Sequence, residues 1–188
     1  MHLAVLASGT GSILAAILDE GLDVALVLLD RRCPAEDLAA RHGVGCVVVE
    51  RTTFGSDFDR EAYSKQVVTA LRDHDIDVVA MAGFGTVLAE PFFDEYEGRV
   101  LNTHPALLPS FPGWHGVRDA LAHGVKVSGC TVHIATLEVD AGPILAQAAV
   151  DVLPDDDEQL LHERIKAIER TLYPATIRQF LTDLEVTQ

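Results

Sequence analysis

Short apolar runs alternate with longer amphipathic segments over the first hundred residues. Each run is rich in aliphatic and β-branched side chains and alternates only weakly, which is typical of strands buried on both faces of a parallel sheet. Strands are predicted at residues 3–7, 24–29, 46–49, 78–82 and 100–102, and helices at residues 12–18, 35–42, 57–73 and 86–96. This alternation predicts right-handed βαβ crossovers and an α/β fold, an open, mostly parallel twisted sheet with helices on both faces.

The pattern changes after Gly113. One short helix and two longer strands, which we expect to form an antiparallel C-terminal extension of the sheet, are predicted at residues 117–123, 128–135 and 143–150. A last helix is predicted from residue 158 to about residue 181, and Tyr173-Pro174 is expected to kink or restart it. The chain shows no repeat, low-complexity tract or linker, so residues 1–188 are predicted to form a single domain.

Charge and cysteine content limit the partners of the chain. A formal net charge of −15 disfavours sequence-independent binding to nucleic acid and docking on an anionic membrane. It leaves a small anionic substrate open, because one or two local cations and backbone N–H groups are enough to bind one. The three isolated cysteines have no metal-site spacing, and no secretory segment is evident, so free thiols and a cytoplasmic location are expected.

A glycine-rich turn, Ser8-Gly9-Thr10-Gly11-Ser12, joins the first predicted strand to the first predicted helix. Its glycines allow backbone N–H groups to turn toward a ligand, and the helix N-terminus adds partial positive charge, so the turn suits a phosphate. The spacing matches neither a dinucleotide-binding GxGxxG nor a Walker loop. A tight turn capped by serine is the alternative.

Three polar residues at predicted strand ends have the chemistry of acyl transfer. Asn102 and His104 alternate along the end of the fifth strand, so their side chains point to the same side. Asp140 follows on a second tight turn. Together these residues can stabilise an oxyanion, move a proton and hold an imidazole charged, without a serine or cysteine nucleophile. His115 could line the same cleft, whereas His133 is assigned to the core or to a supporting role.

The acidic run Asp155-Asp156-Asp157-Glu158 is interpreted as a solvated helix start and not as a metal site, because no histidine or cysteine clusters with it. No metal is predicted.

Three motifs carry a resemblance to a known family. They are the glycine-rich turn at residues 8–12, the run at residues 102–113 with its HPxLLPxFPG core, and Asp140-Ala141-Gly142-Pro143-Ile144. Together with Lys166, Glu169 and Tyr173-Pro174 they resemble the phosphoribosylglycinamide formyltransferases, in order, from Met1 to about Phe180.

The resemblance implies roles for particular residues. The catalytic residues would be Asn102, His104 and Asp140. The ribonucleotide substrate would contact Gly11, Ser12, Ile13, Lys166 and Glu169. The formyl-folate would contact Arg60, Gly85, Thr86, Val87, Leu88, Asn102, Thr136, Leu137, Glu138, Val139 and Asp140.

The resemblance also implies a Rossmann-like formyltransferase fold and a reaction of purine biosynthesis and one-carbon metabolism. A formyl group would pass from 10-formyltetrahydrofolate, the co-substrate, to the amine of glycinamide ribonucleotide, without a metal. The phosphate-binding half would be residues 1–100, and the catalytic and folate-binding half residues 101–188. The partners would be these small molecules, with no nucleic acid and no membrane, and the family leaves a homodimer open.

One departure from the family pattern keeps alternatives open. The family usually has Met-Arg, near the anionic tail of the folate, where this chain has Gly85-Thr86. A sugar-nucleotide N-formyltransferase and a formyltetrahydrofolate hydrolase are the alternative enzymes. The hydrolases usually carry a domain before the first strand, and a methionyl-tRNA formyltransferase is expected to have a basic extension. Outside enzymology, a non-catalytic nucleotide-binding module is the alternative, which would bind ligand without transferring a formyl group.

Overall fold

The computed structural model describes residues 1–55 and 57–187. Its internal contacts divide the chain into two compact units, a first unit of Met1–Val100 and a second unit of Leu101–Gln188.

The first unit is built on four parallel strands. They are β1 (Leu3–Ala7), β2 (Val24–Leu29), β3 (Gly45–Val48) and β4 (Val78–Met81). They lie in the order β3-β2-β1-β4, and each neighbouring pair is parallel. All five residues of β1 are buried, as its position inside the sheet requires. The predicted parallel strands are confirmed.

Four helices connect these strands and end the unit: α1 (Ser12–Asp19), α2 (Pro34–Arg41), α3 (Arg60–Arg72) and α4 (Glu90–Glu95). α2 begins with Pro34, whose fixed φ and missing N–H suit a first helical turn. α3 begins after Asp59, whose carboxylate accepts a 2.9 Å hydrogen bond from the Ala62 N–H.

The start of α4 differs from the prediction. A helix was expected from Thr86, but residues 85–89 are not helical and α4 begins at Glu90. Pro91 explains the difference, since proline is tolerated in the first turn of a helix and not in its interior. The residues expected to contact the folate therefore lie on an irregular segment after β4.

The second unit contains the antiparallel strands. β5 (Val100–His104) begins at the last residue of the first unit, and β6 (Val127–Ile134) and β7 (Ile144–Asp151) follow. β6 pairs antiparallel with β5 on one side and with β7 on the other. α5 (Gly116–Ala122) and α6 (Glu158–Thr187) pack on these strands through an apolar cluster of Val117, Cys130, Val150, Leu161 and Ile165.

The last helix does not restart at Tyr173-Pro174. α6 is one helix of 30 residues with Pro174 inside it. Proline removes one backbone hydrogen bond there, but Tyr173 and Ile177 are fully buried beside it. The Tyr173 hydroxyl also donates a 2.8 Å hydrogen bond to the Leu101 carbonyl. These contacts hold the helix across the proline.

The predicted α/β class, with a mostly parallel sheet and antiparallel C-terminal strands, is confirmed. The assignment of residues 1–188 to a single domain stays a prediction. Over residues 1–55 and 57–187, none of the helices has the length and apolar character needed to cross a membrane.

Candidate active site

His104 and Asp140 form a buried pair in the second unit. His104 is the last residue of β5, and Asp140 lies on the connection between β6 and β7. The imidazole Nδ1 is 3.3 Å from Asp140 Oδ2, and the two side chains are 5% and 7% exposed. Because little water reaches the pair, its charges interact more strongly than they would at the surface.

The second ring nitrogen of His104 also faces an acceptor. Nε2 lies 2.8 Å from the carbonyl oxygen of Phe111, on the proline-rich loop that follows β5. A neutral imidazole has one N–H and can serve only one of these two acceptors, whereas the imidazolium donates to both. An imidazolium would satisfy both acceptors at once.

Asp140 is held by its own turn. Its φ of +57° lies in the left-handed region, which aspartate tolerates better than most residues. Its Oδ2 accepts a 2.7 Å hydrogen bond from the Gly113 N–H. Burial opposes ionisation, but hydrogen bonds from His133 and Gly113, together with the His104 charge, hold the pKa of Asp140 below its usual value. The carboxylate is therefore ionised at neutral pH.

His133 is the site residue whose contacts the sequence did not predict. It lies in β6 directly opposite Asn102 in β5. Its Nε2 is 3.2 Å from the Asn102 amide nitrogen and 3.5 Å from Asp140 Oδ1. Its other ring nitrogen lies 3.0 Å from the Ile134 carbonyl. His133 thus links two members of the expected catalytic trio, a contact set only by strand register.

Gly116 provides the space that the imidazole occupies. A Cβ at this position would lie 2.9 Å from His104 Nε2 and 3.0 Å from the Phe111 carbonyl oxygen. Any larger residue at the start of α5 would displace the ring or its acceptor. His115, which was considered as a cleft residue, is exposed at the cap of α5.

Lys166 and Glu169 lie on α6, apart from the trio. Glu169 is 6% exposed and accepts a 2.6 Å hydrogen bond from Thr103. Burial raises the pKa of Glu169, against the opposing effects of Thr103 and the Lys166 charge. Thr103 points away from its strand neighbours Asn102 and His104, since successive side chains alternate. In the part of the chain that the structure describes, no hydrogen bond or ion pair joins Lys166 or Glu169 to the trio.

The glycine-rich turn has the conformation that an anion site needs. Gly11 precedes α1 with φ +76°, and a Cβ there would meet Ala35 and Leu38 at 3.2 Å. The first turn of α1 contains no acidic residue, so its N–H groups and positive helix end are not neutralised from within. Ile13 is buried and can offer only its backbone.

The expected folate contacts in the first unit present mainly backbone. Thr86 and Leu88 are buried, and the Thr86 hydroxyl donates a 2.8 Å hydrogen bond to Asp30. Gly85 donates its N–H to the Ser8 hydroxyl, and Val87 is partly exposed. Arg60 is exposed at the first position of α3.

The expected folate contacts in the second unit form an exposed loop before Asp140. Within it the Thr136 hydroxyl donates a 3.0 Å hydrogen bond to the Glu138 carbonyl. The loop consists of Thr136, Leu137, Glu138 and Val139, with both apolar side chains about half exposed.

Metal ligands are not clustered in residues 1–55 and 57–187. Within them, no three histidine, cysteine, aspartate or glutamate side chains are arranged to hold an ion. The metal-free reaction stays a prediction.

Comparison with known proteins assigns the family. The formyl transferase family model matches residues 1–177. The chain is 47% identical over 186 residues to a phosphoribosylglycinamide formyltransferase of Mycobacterium tuberculosis, covering 96% of this chain and 85% of the relative. The Escherichia coli enzyme of the same name is 36% identical, with 96% and 87% covered.

Comparison with solved structures leads to the same family. Glycinamide ribonucleotide transformylase 1 from Symbiobacterium toebii superposes with a TM-score of 0.90 at 41% identity, covering 96% of this chain and 87% of that one. The phosphoribosylglycinamide formyltransferase from Bacillus halodurans gives 0.89 at 34% identity, covering 96% and 95%. The chain belongs to the formyl transferase family and, within it, to the phosphoribosylglycinamide formyltransferases.

Proposed function

We propose that this protein transfers the formyl group of 10-formyltetrahydrofolate to the amine of 5'-phosphoribosylglycinamide, a step of purine biosynthesis. The observation that carries the proposal is the buried pair of His104 and Asp140, to which the partly buried Asn102 is linked through His133. Family membership over residues 1–177 supports it.

The trio suits direct attack by an amine. The neutral amine of the ribonucleotide attacks the formyl carbon, forming a C–N bond and placing negative charge on the formyl oxygen. The bond from carbon to N10 of the folate then breaks, and the proton lost by the amine is delivered to N10. No covalent enzyme intermediate is needed, and holding the two substrates together contributes several kcal/mol by proximity alone.

Asn102 and His104 are assigned to the developing oxyanion. The Asn102 amide and the protonated His104 donate hydrogen bonds to the formyl oxygen, and removal of one such donor costs about 10²–10³ in rate in other acyl-transfer enzymes. Asp140 keeps the imidazole charged through its 3.3 Å contact with Nδ1. Nε2 contacts the Phe111 carbonyl, so donation to the substrate requires that this hydrogen bond be shared or exchanged.

We assign the substrate contacts to the residues predicted from the sequence. In the first unit, backbone N–H groups of Gly11, Ser12 and Ile13 at the N-terminus of α1 are assigned to the ribonucleotide phosphate, and Arg60 and the backbone of residues 85–88 to the folate. In the second unit, Lys166 and Glu169 on α6 are assigned to the ribonucleotide, and the exposed loop 136–139 to the folate. We expect the enzyme to act in the cytoplasm, and a homodimer is compatible with the family.

The test is folate deformylation, followed by absorbance, with and without 5'-phosphoribosylglycinamide. We expect turnover only when the ribonucleotide is present, with one formylated product, heavier by a carbonyl group in mass spectrometry, for each folate consumed. Turnover in its absence would instead identify a hydrolase. Turnover only with an amino-sugar nucleotide would identify a different formyltransferase, and binding without turnover a non-catalytic module.

A further inference from the structure

Two arginines flank an exposed aromatic ring in the first unit. The guanidinium carbon of Arg31 lies 5.2 Å from the centre of the Phe54 ring, and that of Arg51 lies 4.5 Å from it. Phe54 is 62% exposed. We call Arg31, Arg51 and Phe54 the arginine–phenylalanine cluster. Both guanidiniums lie over this one ring, in a chain whose net charge is −15.

Arg31 is fixed by a buried carboxylate. Asp30, which is fully buried after β2, accepts hydrogen bonds from Arg31 Nε at 2.8 Å and Nη2 at 3.0 Å. The Thr86 hydroxyl donates to the same carboxylate. Burial opposes ionisation of Asp30, but hydrogen bonds from Arg31, Thr86 and Ser8 hold its pKa below the usual value. A two-point contact of this kind orients the planar guanidinium.

The Arg31 guanidinium still has hydrogen-bond donors that Asp30 does not use. The contact with Asp30 uses Nε and Nη2, and the Arg31 side chain stays 40% exposed. Among residues 1–55 and 57–187, Nη1 makes no hydrogen bond. Arg51 is tied to the same region, since its backbone N–H donates 2.8 Å to the Asp30 carbonyl and its side chain lies 4.3 Å from the Phe58 ring centre.

The cluster borders the segment assigned to the folate. A Cβ on Gly85 would lie 3.3 Å from Arg31 Nη2 and 3.3 Å from the Ser8 hydroxyl. The Gly85 N–H donates to the same hydroxyl. Arg31 therefore lies beside Gly85, and the next residue, Thr86, is buried and helps to hold Asp30.

An exposed ring beside two guanidiniums suits a ligand that is both aromatic and anionic. Cations above an aromatic face are stabilised by it, and each guanidinium can also bind a carboxylate. The non-pterin part of a folate has this chemistry, an aminobenzoyl ring followed by one or more glutamates. A ribose phosphate lacks the aromatic ring, and the N-terminus of α1 offers it a better site.

We propose that the arginine–phenylalanine cluster binds the aminobenzoyl–glutamate tail of the folate and selects folates that carry several glutamates. The inference deepens the function proposed above and rests on it. Arg31 contacts the first carboxylates, oriented by Asp30, and Arg51 and Phe54 contact the ring and the following glutamates.

The test compares three variants of the cluster with a neighbouring control. Arg31→Gln removes the oriented guanidinium but leaves Asp30 buried without its cation, so the fold is checked by thermal unfolding. Arg51→Gln and Phe54→Ala leave the Asp30 carboxylate paired with Arg31, and they keep the test decisive if Arg31→Gln unfolds. Arg32→Gln is the matched control, because Arg32 is the adjacent arginine, is 77% exposed and pairs only with Glu36 among the contacts described.

Affinity is measured by calorimetry with a non-reactive dideaza folate bearing one or five glutamates, and the KM values and kcat are measured in parallel. We expect the intact protein to bind the five-glutamate form more tightly. Each lost guanidinium should weaken that form by about 3- to 10-fold, and the one-glutamate form less. In Arg51→Gln and Phe54→Ala the KM for the ribonucleotide should not change, and Arg32→Gln should behave like the parent in every measurement.

Two results overturn the proposal. Unchanged folate affinity in all three folded variants would show that the cluster does not contact the tail. A higher KM for the ribonucleotide, with unchanged folate affinity, would assign the cluster to the phosphate instead. Calorimetry needs no turnover, so failure of formyl transfer in the intact protein would be seen separately as failure of the proposed function.

Discussion

Asp30 shows how one buried charge ties together three parts of the first unit. Its carboxylate is bound by Arg31 from the end of β2 and by Thr86 from the segment after β4. Ser8, at the end of β1, stabilises its charge as well. Removing the charge while keeping the shape should therefore loosen the glycine-rich turn and the segment after β4, to which we assign the phosphate and folate contacts.

The lowered pKa of Asp30 predicts a pH dependence of stability. A carboxyl whose folded pKa lies below its unfolded value of 3.8 stabilises the fold at higher pH, and this stability is lost as pH falls through the folded pKa. Asp30→Asn should lower the free energy of unfolding at pH 7 by about 1–3 kcal/mol. Urea unfolding at pH 7 and at pH 3–5 measures the free energy of unfolding of the parent protein and of Asp30→Asn.

In acid the difference between Asp30→Asn and the parent should shrink. The exposed Asp23 provides the control, because Asp23→Asn removes a carboxylate without a buried ion pair. A difference that stays constant from pH 7 to pH 3 would contradict the assigned charge state of Asp30.

The positions of Asn102, His104 and Asp140 at a strand end and a turn could be predicted because their signals are local, and their catalytic role stays a prediction. Asn102 and His104 are two positions apart on one strand, and Asp140 stands at a glycine-containing turn. His133 was assigned to the core or to a supporting role, but its contact with Asn102 could not be predicted, because it depends on which residue of β6 faces Asn102. Register between strands 31 residues apart is set by the whole sheet and not by either segment. The arginine–phenylalanine cluster was not predicted either, because its residues come from separate segments, one after β2 and one after β3.

At the scale of elements, the proline-rich loop and α5 enclose the imidazole. Phe111 presents its carbonyl to His104, and Gly116 leaves the space beside the ring. Gly116 is the first residue of α5, where alanine is a better helix former than glycine.

Gly116→Ala should therefore fold and yet lose activity. Its Cβ would lie 2.9 Å from His104 Nε2, so the ring or the Phe111 carbonyl must move. Displacement of a catalytic group by about 1 Å can cost about 10²-fold in rate, and we expect kcat to fall at least tenfold with little change in melting temperature. Steady-state kinetics and thermal unfolding measure the two effects.

Gly45→Ala is the matched control, because a Cβ there meets only the Ala25 carbonyl oxygen, at 4.0 Å. If Gly116→Ala keeps the kcat of the parent protein, the close packing around His104 has no catalytic importance.

Strands were predicted more accurately than helix ends. Buried aliphatic runs give each strand a clear signal, and β1 and β2 have the predicted bounds. The start of α4 was misplaced because the apolar pattern extends into residues 86–89, where side-chain contacts such as that of Thr86 with Asp30 hold an irregular segment. The expected restart at Pro174 is absent, because burial of the surrounding residues outweighs the cost of the proline.

For the whole molecule, the charge imbalance of −15 sets the dependence on salt. An excess of one sign destabilises the folded state through self-repulsion, and salt screens this repulsion over about 10 Å at 0.1 M. Raising sodium chloride from low concentration to about 0.3 M should therefore raise the melting temperature by about 2–5 °C.

Potassium chloride should have the same effect, because the cause is screening and not binding of one ion. A melting temperature that falls with salt would mean that attractive ion pairs outweigh the net repulsion.

The sheet and the family could both be predicted for the whole chain. The apolar runs predicted the parallel and the antiparallel C-terminal strands, and the motifs predicted the family, whose model matches residues 1–177. The arrangement of the two units as a single domain stays a prediction.

We propose that Asp140 keeps His104 protonated for formyl transfer, and the pH profile of Asp140→Asn tests this role. An imidazole without a carboxylate partner loses its proton near neutral pH. We therefore expect kcat of Asp140→Asn to fall about 10²-fold at pH 8 and much less at pH 6. The control is Asp155→Asn, because Asp155 is exposed and follows β7, and this variant should keep the pH profile of the parent protein. A profile of Asp140→Asn that coincides with that of the parent protein would contradict the account.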